Sequence, residues 1–322
     1  PGSITGQLET PGGKFDFKSR LVGEHNLENI LCAAGDGVAL DMSNMDVKSG
    51  IEAVSAIPGR LEFIENKIGR YVYVDYAHTP DALKNVIMAL KAVMKDKIIC
   101  VFGCGGDRDN EKRPLMGEIA ARLCDLAVIT SDNPRTEDPM VIIDHIIAGA
   151  QKASGRRYQT ADLSNGYKEK GYVVEADRKQ AIRLGIAVSK PGDTVLIAGK
   201  GHENYQIVGS ESRFFDDTLC AQQSSLSWDL QTLVTATGGT LVRKAGQSRY
   251  GEISTDTRTI SENDIFIALQ GEQFDGHDFL SEARDRGAVA AMVSREGACE
   301  LPQLVVEDIR VGLGRLAAAW RR

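Results

Sequence analysis

Short apolar segments alternate with amphipathic segments of helical period along residues 60–201, and this alternation constrains the fold more than any other feature. The apolar segments predict strands over residues 71–74, 98–102, 126–129, 172–175 and 194–197. The segments between them predict helices over residues 81–93, 114–122, 139–150 and 178–188. Such alternation is typical of a mainly parallel sheet with helices on its faces. The predicted fold class is therefore α/β, with a doubly wound, Rossmann-like domain.

Polar residues follow every one of these predicted strands, and glycines follow some of them. The segments after the strands read DYAHTP (75–80), GCGGDRD (103–109), TSDNPR (130–135), ADR (176–178) and AGKGHE (198–203). In open α/β sheets, ligands bind beyond the carboxyl ends of the strands. All five ends carry ionisable groups, so we predict that they line one shared cleft. The glycine-rich turn alone is a weaker signal, although backbone N–H groups at such a turn can face an anion.

Composition excludes several classes of protein. The 322 residues are 42% apolar and 26% charged, which is ordinary for a globular protein. The net charge of −7 argues against general nucleic-acid binding. Six scattered cysteines without a CxxC pair predict reduced thiols in a cytoplasmic protein, and no apolar run approaches the ~20 residues of a membrane span. The histidines and cysteines show no metal-binding spacing, so no metal site is predicted within this chain.

Weaker signals flank the central domain. Alternation at Phe15 and Phe17 predicts a hairpin within residues 1–20, and helices are predicted from Asn26 and over residues 47–56. The period is lost at residues 218–227, where a linker or a frayed helix end is predicted. A smaller α/β unit follows, with helices predicted over 228–235 and 277–286, strands over 240–243, 252–255, 265–268 and 288–293, and a helical tail from residue 309. The start at Pro1 and the end at residue 322 lack terminal signals, so we expect an interior piece of a longer protein.

The segment Asp132-Asn133-Pro134-Arg135 is the sharpest candidate for a binding site. Pro134 fixes a turn, which we expect to project Asn133 and Arg135 from the strand end. A guanidinium on a rigid turn recognises a carboxylate or phosphate with two parallel hydrogen bonds. With Arg108 as a second cation and Glu203 as an anion, the set suits an amino acid. The alternative is that Arg135 is a surface residue paired with Glu137 or Asp138.

A second group of residues suits a nucleotide. Asp75 and His78 can hold a ribose hydroxyl, a metal-bound water or a phosphate, and Arg60 a phosphate. The alternative for Asp75 is that it caps the helix near Pro80. Lys200 and His202 can equally be solvated. Asn26, like its neighbour at residue 29, can simply cap a helix.

In the smaller unit, polar segments again follow predicted strands. They read STDTR (254–258) and, after Gly271, FDGH (274–277). Hydroxyl groups, a guanidinium and an aromatic ring suit a nucleotide base with its diphosphate. The alternative is ordinary turn chemistry, because D-G and S-T-D are common in turns.

Several motifs resemble those of the Mur ligase family. GEHNLEN (23–29), PGR (58–60), DYAHTPDAL (75–83), FGCGGDRD (102–109), KRPLMG (112–117), DNPRTE (132–137) and GKGHENYQ (199–206) resemble the C-terminal half of the MurE ligases, in the form that uses meso-diaminopimelate. STDTR (254–258), DIFIALQG (264–271) and FDGHDF (274–279) are similar to the N-terminal part of the MurF ligases. The resemblance identifies the chain as an interior piece of a MurE–MurF fusion.

The resemblance implies four segments and three ligand sites. Residues 1–58 would end a central ATP-binding domain, 59–222 would bind the amino acid, 223–306 would bind a uridine nucleotide, and 307–322 would begin a second central domain. Meso-diaminopimelate would be held by Arg108, Asp132, Asn133, Arg135, Gly199 and Glu203, and ATP by Asn26, Asn29, Arg60, Asp75 and His78. The UDP group would be held by Ser254, Thr255, Asp256, Arg258, Phe274, Asp275 and His277.

The implied function is ATP- and Mg²⁺-dependent ligation of meso-diaminopimelate to UDP-MurNAc-L-Ala-D-Glu during peptidoglycan biosynthesis, with contacts to other Mur enzymes possible. The family's phosphate-binding P-loop, acidic magnesium ligand and carbamylated lysine are not among these 322 residues. We therefore expect the chain alone to be inactive. A non-catalytic binding module and a folylpolyglutamate-synthetase-like ligase are the alternatives.

Overall fold

The chain forms two compact units, unit 1 (1–222) and unit 2 (223–322). The computed structural model describes residues 3–66, 68–153, 156–225, 228–243, 249–251, 253–260, 264–271 and 274–320. The predicted α/β class is confirmed, with a large, mainly parallel sheet in unit 1 and a smaller mixed sheet in unit 2.

Unit 1 begins with the predicted hairpin, formed by strands β1 (Ile4–Thr10) and β2 (Gly13–Ser19). Helices α1 (Glu24–Ala39) and α2 (Asn44–Ala53) follow, and apolar residues such as Phe17, Ile30 and Val47 form a small core beneath the hairpin. The first helix begins two residues before Asn26, at Glu24. The second helix begins earlier than predicted because Ser43 caps it, accepting a hydrogen bond from the N–H of Asp46.

The main sheet of unit 1 has seven strands. They are β3 (Glu62–Ile64), β4 (Tyr71–Asp75), β5 (Ile98–Phe102), β6 (Leu126–Ile129), β7 (Arg157–Tyr158), β8 (Gly171–Val174) and β9 (Thr194–Ala198). Their order is β3-β4-β9-β5-β6-β8-β7, and every pair is parallel except β3 with β4. The five predicted strands are confirmed within one or two residues at each end, because each is a continuous apolar run buried on both faces.

Helices cover both faces of this sheet. They are α3 (Pro80–Val93), α4 (Lys112–Leu123), α5 (Pro139–Ala153) and α6 (Arg178–Val188). One core contains Leu83, Met116 and Ile143 from α3, α4 and α5. The other core contains Ile182 and Ile186 from α6. Residues 160–165 form a short 3-10 helix.

An antiparallel hairpin and a helix that the sequence did not predict complete unit 1. Strands β10 (Tyr205–Val208) and β11 (Glu211–Phe214) pair with each other, and α7 (Asp217–Ser225) follows. The hairpin residues are exposed or half-buried, so they lack the apolar alternation that marks a strand in a sequence. Of the two alternatives for residues 222–225, a linker or a helix end, the structure has the second, because these residues form the last turn of α7.

Unit 2 is built on a five-stranded sheet of order β13-β18-β17-β16-β15. Its elements are β12 (Trp228–Asp229), α8 (Leu230–Thr237), β13 (Thr240–Val242), β14 (Arg249–Tyr250), β15 (Ile253–Ser254), β16 (Ile265–Ile267), α9 (Leu280–Asp285), β17 (Ala290–Val293), β18 (Gln303–Val305) and α10 (Ile309–Trp320). Strands β15 to β18 are parallel neighbours, and β13 is antiparallel.

Three predictions for unit 2 need correction. The helix predicted from residue 228 begins at Leu230, after the short strand β12. The helix predicted over 277–286 is divided into a 3-10 turn (Gly276–Phe279) and α9. Strand β18 was missed because its three residues give too short a pattern. Residues 252 and 321–322 of the predicted elements lie outside the described residues.

Candidate functional site

The strand order places the predicted site segments of unit 1 side by side. Strands β4, β9, β5 and β6 are consecutive neighbours in the sheet and parallel. Their carboxyl ends therefore lie at one edge, where residues 75–80, 198–203, 103–109 and 130–135 follow. This edge is called the C-terminal edge below.

A buried lysine is the centre of one group of site residues. The side chain of Lys200 has no exposure to solvent. Its Nζ donates to Asn133 Oδ1 at 3.0 Å and to Asp132 Oδ1 at 3.3 Å, and lies 3.6 Å from Glu203 Oε2. A buried ammonium group must be paired in this way, because losing water without compensation is costly. The alternative that Lys200 is solvated is therefore wrong.

Asn133 is held on all sides by protein groups. Its Oδ1 accepts from Lys200 and from the N–H of Ile207, and its Nδ2 donates to Glu203 Oε2 at 3.1 Å. Asn133 is only 4% exposed, so the expectation that it projects from the strand end is wrong. Glu203 is half-buried and supplies the carboxylate at the rim of this group. Gly199 lies beneath it: a β-carbon there would be 3.3 Å from Asp132 Oδ2.

Arg135 lies beside this group in an uncommon backbone conformation. Its φ angle is 53°, and its N–H and carbonyl are held by Ile207 O and Gly209 N of the β10–β11 hairpin. Its Nη1 donates to Gly106 O at 2.7 Å and to Asn133 O at 3.4 Å. Among the described residues, no carboxylate is within ion-pair distance of this guanidinium. The alternative of a surface pair with Glu137 or Asp138 is therefore wrong.

Arg108 and Arg135 flank Gly105. A β-carbon on Gly105 would lie 3.0 Å from Arg135 Nη1 and 3.8 Å from Arg108 Cγ. Arg108 is exposed, and its Nη1 donates to the carbonyl oxygen of Asp107. A β-carbon on Gly106 would lie 1.8 Å from Pro134 O, so only glycine allows the two loops to approach this closely.

The sequence analysis missed Arg113, a fully buried residue of α4. Its guanidinium donates to both carboxylate oxygens of Glu137, at 2.8 and 2.9 Å. A signal was present, because Arg113 shares the inward positions of α4 with Met116, Gly117 and Ala120 at helical spacing. An arginine among core-facing positions indicates a buried ion pair.

Acid should weaken the fold of unit 1 through Glu137. Hydrogen bonds from Arg113, and next from the N–H of Asp107, hold the pKa of Glu137 below its ordinary value of 4.5. A carboxyl with a lowered pKa stabilises the folded chain fully above its unfolded pKa, and this contribution is lost as the pH falls below about 4.5. Urea denaturation of the unmodified chain and of Glu137→Gln should therefore differ most above pH 4.5 and converge in stronger acid. A difference that stays constant across this range would contradict the prediction.

The candidate nucleotide residues at the end of β4 surround Tyr76, which the sequence analysis also missed. The Cζ atom of Arg60 lies 5.1 Å from the ring centroid of Tyr76. The rings of His78 and His202 lie 4.6 and 5.3 Å from the same ring. Arg60 and His78 are exposed, so this cluster presents cationic and aromatic groups at the C-terminal edge.

Asp75 organises the turn after β4. Its carboxylate accepts hydrogen bonds from the N–H groups of Leu61 (2.7 Å) and Ala77 (2.8 Å). Thr79 caps α3 instead, so the alternative that Asp75 is the helix cap is wrong.

The two asparagines lie on the first turns of α1. Asn26 is buried, and its Nδ2 donates to Val22 O at 2.8 Å. Asn29 is exposed and donates to Asn26 Oδ1 at 3.4 Å. Gly23 occupies the position before the helix, so side-chain capping by Asn26 is wrong.

In unit 2 the candidate nucleotide residues lie at the ends of two adjacent parallel strands, β15 and β16. Ser254 ends β15, and its Oγ contacts Asp256 O and Thr259 Oγ1. Asp256 and Arg258 form a bidentate pair that lowers the pKa of Asp256 to about 2. Thr255 is exposed beside them.

The loop after β16 brings a second group to the same edge. Phe274 is 70% exposed, which is unusual for so large an apolar ring. Asp275 accepts from Arg295 and contacts His277 Nδ1, and these bonds hold the pKa of Asp275 far below its usual range. Because the N–H of Ser294 donates to His277 Nε2, the ring carries its proton on Nδ1. Both groups are also explained in part by turn chemistry, because Asp256 and Asp275 cap 3-10 turns.

Two features are absent from the described residues. No helix there has the length and apolarity needed to cross a membrane. No cluster of three or more histidine, cysteine, aspartate or glutamate side chains suited to a metal ion occurs among them.

Known proteins resemble both units. Residues 59–201 match the family model described as "Mur ligase, glutamate ligase domain", and residues 249–321 match "Mur ligase family, catalytic domain". A UDP-N-acetylmuramoyl-L-alanyl-D-glutamate–2,6-diaminopimelate ligase from Geobacter metallireducens is 50% identical over 214 residues, which cover 66% of this chain and 42% of the relative. The ligase of the same name from Synechococcus elongatus is 47% identical over 218 residues, covering 67% and 41%.

A solved structure of a ligase of this name is 34% identical, with a TM-score of 0.48, and covers 69% of this chain and 42% of the other. The chain spans about two fifths of the length of the curated relatives. Since both family models describe Mur ligase domains and fall in different units, the chain belongs to the Mur ligase family, and about two thirds of it is homologous to the diaminopimelate ligases.

Proposed function

We propose that unit 1 binds meso-diaminopimelate and presents it for ATP-dependent ligation to UDP-MurNAc-L-Ala-D-Glu. The observation that carries the proposal is Arg135, a guanidinium fixed by backbone carbonyls with no carboxylate partner among the described residues. Such a group is ready to bind a ligand carboxylate with a fork of hydrogen bonds. Meso-diaminopimelate offers a distal carboxylate, which L-lysine lacks.

The neighbouring groups complement the rest of an amino acid. Glu203 is half-buried and oriented by Asn133, so its carboxylate can accept hydrogen bonds from an ammonium group. Arg108, like Arg135, lies close to Gly105 and can contact the same carboxylate or a second one. Of the other residues assigned to this site, Asp132 accepts a hydrogen bond from Lys200, and Gly199 lies close to the Asp132 carboxylate.

For the reaction, this chain supplies position rather than activation. ATP supplies the phosphoryl group that activates the acceptor carboxylate. Holding the incoming amino group in line with that carboxylate removes orientational freedom before the bond forms. The cluster of Arg60, Tyr76 and His78 fits the phosphates of a nucleotide, with the Arg60 guanidinium and the His78 imidazole beside an aromatic ring. The steps above involve only this chain's own residues, among whose described positions no group of three or more histidine, cysteine, aspartate or glutamate side chains could hold a metal ion.

We propose further that unit 2 binds the uridine nucleotide of a MurF-like ligase, which makes the chain part of a MurE–MurF fusion. The support is the meeting of Ser254, Asp256 and Arg258 with Phe274 and His277 at the ends of adjacent strands. The four-segment division at residues 58, 222 and 306 belongs to this proposal. Binding of UDP to residues in unit 2, detected by shifts of their amide resonances, would test it.

Isothermal titration calorimetry of the 322-residue chain with meso-diaminopimelate tests the main proposal. We expect heat of binding with meso-diaminopimelate and at least tenfold weaker binding of L-lysine. Heat with L-lysine and none with meso-diaminopimelate would contradict the proposal. Binding of folate polyglutamates instead would favour a folylpolyglutamate-synthetase-like ligase.

A second assay tests the expected inactivity. ADP release on adding ATP, meso-diaminopimelate and UDP-MurNAc-L-Ala-D-Glu to the 322-residue chain would overturn it. Diaminopimelate binding without turnover in the full-length gene product would favour the non-catalytic module.

A further inference from the structure

Arg113 connects three separate segments of unit 1 although it carries no exposed surface. Besides its two bonds to Glu137, its Nη2 donates to Gly105 O at 3.2 Å and its Nη1 lies 3.1 Å from His145 Nδ1. An arginine always donates, so His145 Nδ1 accepts this bond. The guanidinium of α4 is thereby fixed to the glycine-rich loop (103–109), to the DNPRTE loop (132–137) and to α5.

The two loops are also bound to each other by reciprocal contacts. The N–H of Asp107 donates to Glu137 Oε1 at 2.5 Å. In return, the Asp107 carboxylate accepts from the N–H and hydroxyl of Thr136, at 3.2 and 2.7 Å. The N–H of Gly106 donates to Asn133 O at 2.8 Å. Because Glu137 takes part in both sets of bonds, Arg113 holds the carboxylate that joins one loop to the other.

The joined residues are the immediate neighbours of the two candidate arginines. Arg108 follows Asp107, and Arg135 precedes Thr136. We propose that Arg113 is a positioning residue that fixes the two loops so that Arg108 and Arg135 can bind one ligand carboxylate together. This inference rests on the proposed function and adds to it a residue that does not touch the ligand.

The geometry requires arginine at position 113. Its planar fork makes two parallel bonds to Glu137 while the same guanidinium reaches Gly105 and His145. A lysine carries a single ammonium group on a flexible chain and cannot reproduce this set. Arg122, on the same helix, is the matched contrast, because it is exposed and pairs only with Glu118 one turn earlier.

Calorimetric titration of the 322-residue chain with meso-diaminopimelate tests the inference. We expect Arg113→Met to raise the Kd roughly tenfold or more, since small displacements of binding groups are costly. Arg113→Lys should restore little of this loss, and Arg122→Met should stay within about twofold of the unmodified chain. Thermal denaturation establishes that each variant is folded at the titration temperature.

A double-mutant cycle separates positioning from general stability. If Arg113 acts through the arginine pair, Arg113→Met should change the Kd by less than about twofold when Arg135 is already alanine. Equal losses in both backgrounds would overturn the inference. A second variant, Glu137→Gln, keeps the shape of the side chain but removes its negative charge. It should also raise the Kd for meso-diaminopimelate.

The remaining outcomes are also decisive. Binding by the unmodified chain with an unchanged Kd in both Arg113→Met and Glu137→Gln overturns the positioning role alone. Failure of both variants to fold also overturns it, leaving Arg113 a purely structural residue. If the unmodified chain binds no meso-diaminopimelate, the proposed function itself fails.

Discussion

Replacing Arg178 with methionine is expected to lower the free energy of unfolding of unit 1 by about 3–5 kcal/mol. Arg178 and Asp217 both have fully buried side chains, joined by two bonds of 2.8 and 2.7 Å. A third bond connects Nη2 to Ala198 O at the end of β9. Burial lowers the pKa of Arg178, but the adjacent Asp217 carboxylate raises it by more, so the guanidinium stays charged. Without the guanidinium of Arg178, the Asp217 carboxylate would remain a buried charge that has lost its main partner.

Urea denaturation followed by circular dichroism measures this loss of stability. Two further variants serve as comparisons. Arg213→Met removes an exposed arginine whose pair with Glu211 is worth about 0–1 kcal/mol. The double variant Arg178→Met with Asp217→Asn removes both buried charges, so it should be more stable than Arg178→Met alone. A loss for Arg178→Met no larger than that for Arg213→Met would contradict the prediction.

The five central strands of the unit 1 sheet were predictable because they are buried on both faces, whereas the short edge strands β3 and β7 were not predicted. Residues 98–102 and 126–129 are continuous apolar runs, and the structure has strands with those same bounds. Parallel topology followed from the helices between them. The grouping of the site segments at the C-terminal edge could then be predicted, because parallel strands end on the same side of a sheet.

The partners of the polar residues were not predictable in the same way. Lys200 contacts Asn133, which lies 67 positions away in the sequence. A sequence shows that both residues can form hydrogen bonds, but only packing decides which of them loses contact with water. From the sequence, Lys200 could therefore have been solvated and Asn133 was expected to project from the strand end, but both lie in the protein interior.

Because the sequence does not show which polar residues are buried, Arg113 was missed as a site residue while Arg108 was found. Both follow the glycine-rich strand end, and nothing in their chemistry separates them. The difference is the helical position of Arg113, which faces α5 and is fully buried, whereas Arg108 is exposed. The β10–β11 hairpin, which supports Arg135 through Ile207 and Gly209, was missed because its side chains bury little apolar surface.

Replacing Arg135 with alanine is expected to weaken meso-diaminopimelate binding by roughly 10- to 150-fold. Hydrogen bonds to charged groups contribute about 1.5–3 kcal/mol each, and every 1.4 kcal/mol is a factor of ten in affinity. The loop should keep its shape in this variant, because the backbone of Arg135 is held by Ile207 and Gly209 independently of the side chain. The φ angle of 53° at this position is uncommon for alanine as well as for arginine, so the replacement should not change the backbone strain.

The choice of ligand makes this prediction specific to the guanidinium. Calorimetry with meso-diaminopimelate and with L-lysine should show the Arg135→Ala loss for the first ligand and little change for the second, since only the first has a distal carboxylate. Arg122→Ala, an exposed arginine on α4, should leave both affinities within about twofold. If Arg135→Ala left the affinity for meso-diaminopimelate unchanged, the carboxylate would have to be bound elsewhere, and Arg135 would be only a support for the carbonyls of Gly106 and Asn133. If both ligands were weakened equally, Arg135 would act on the part of the amino acid that they share, and the selection of the distal carboxylate would belong to another residue.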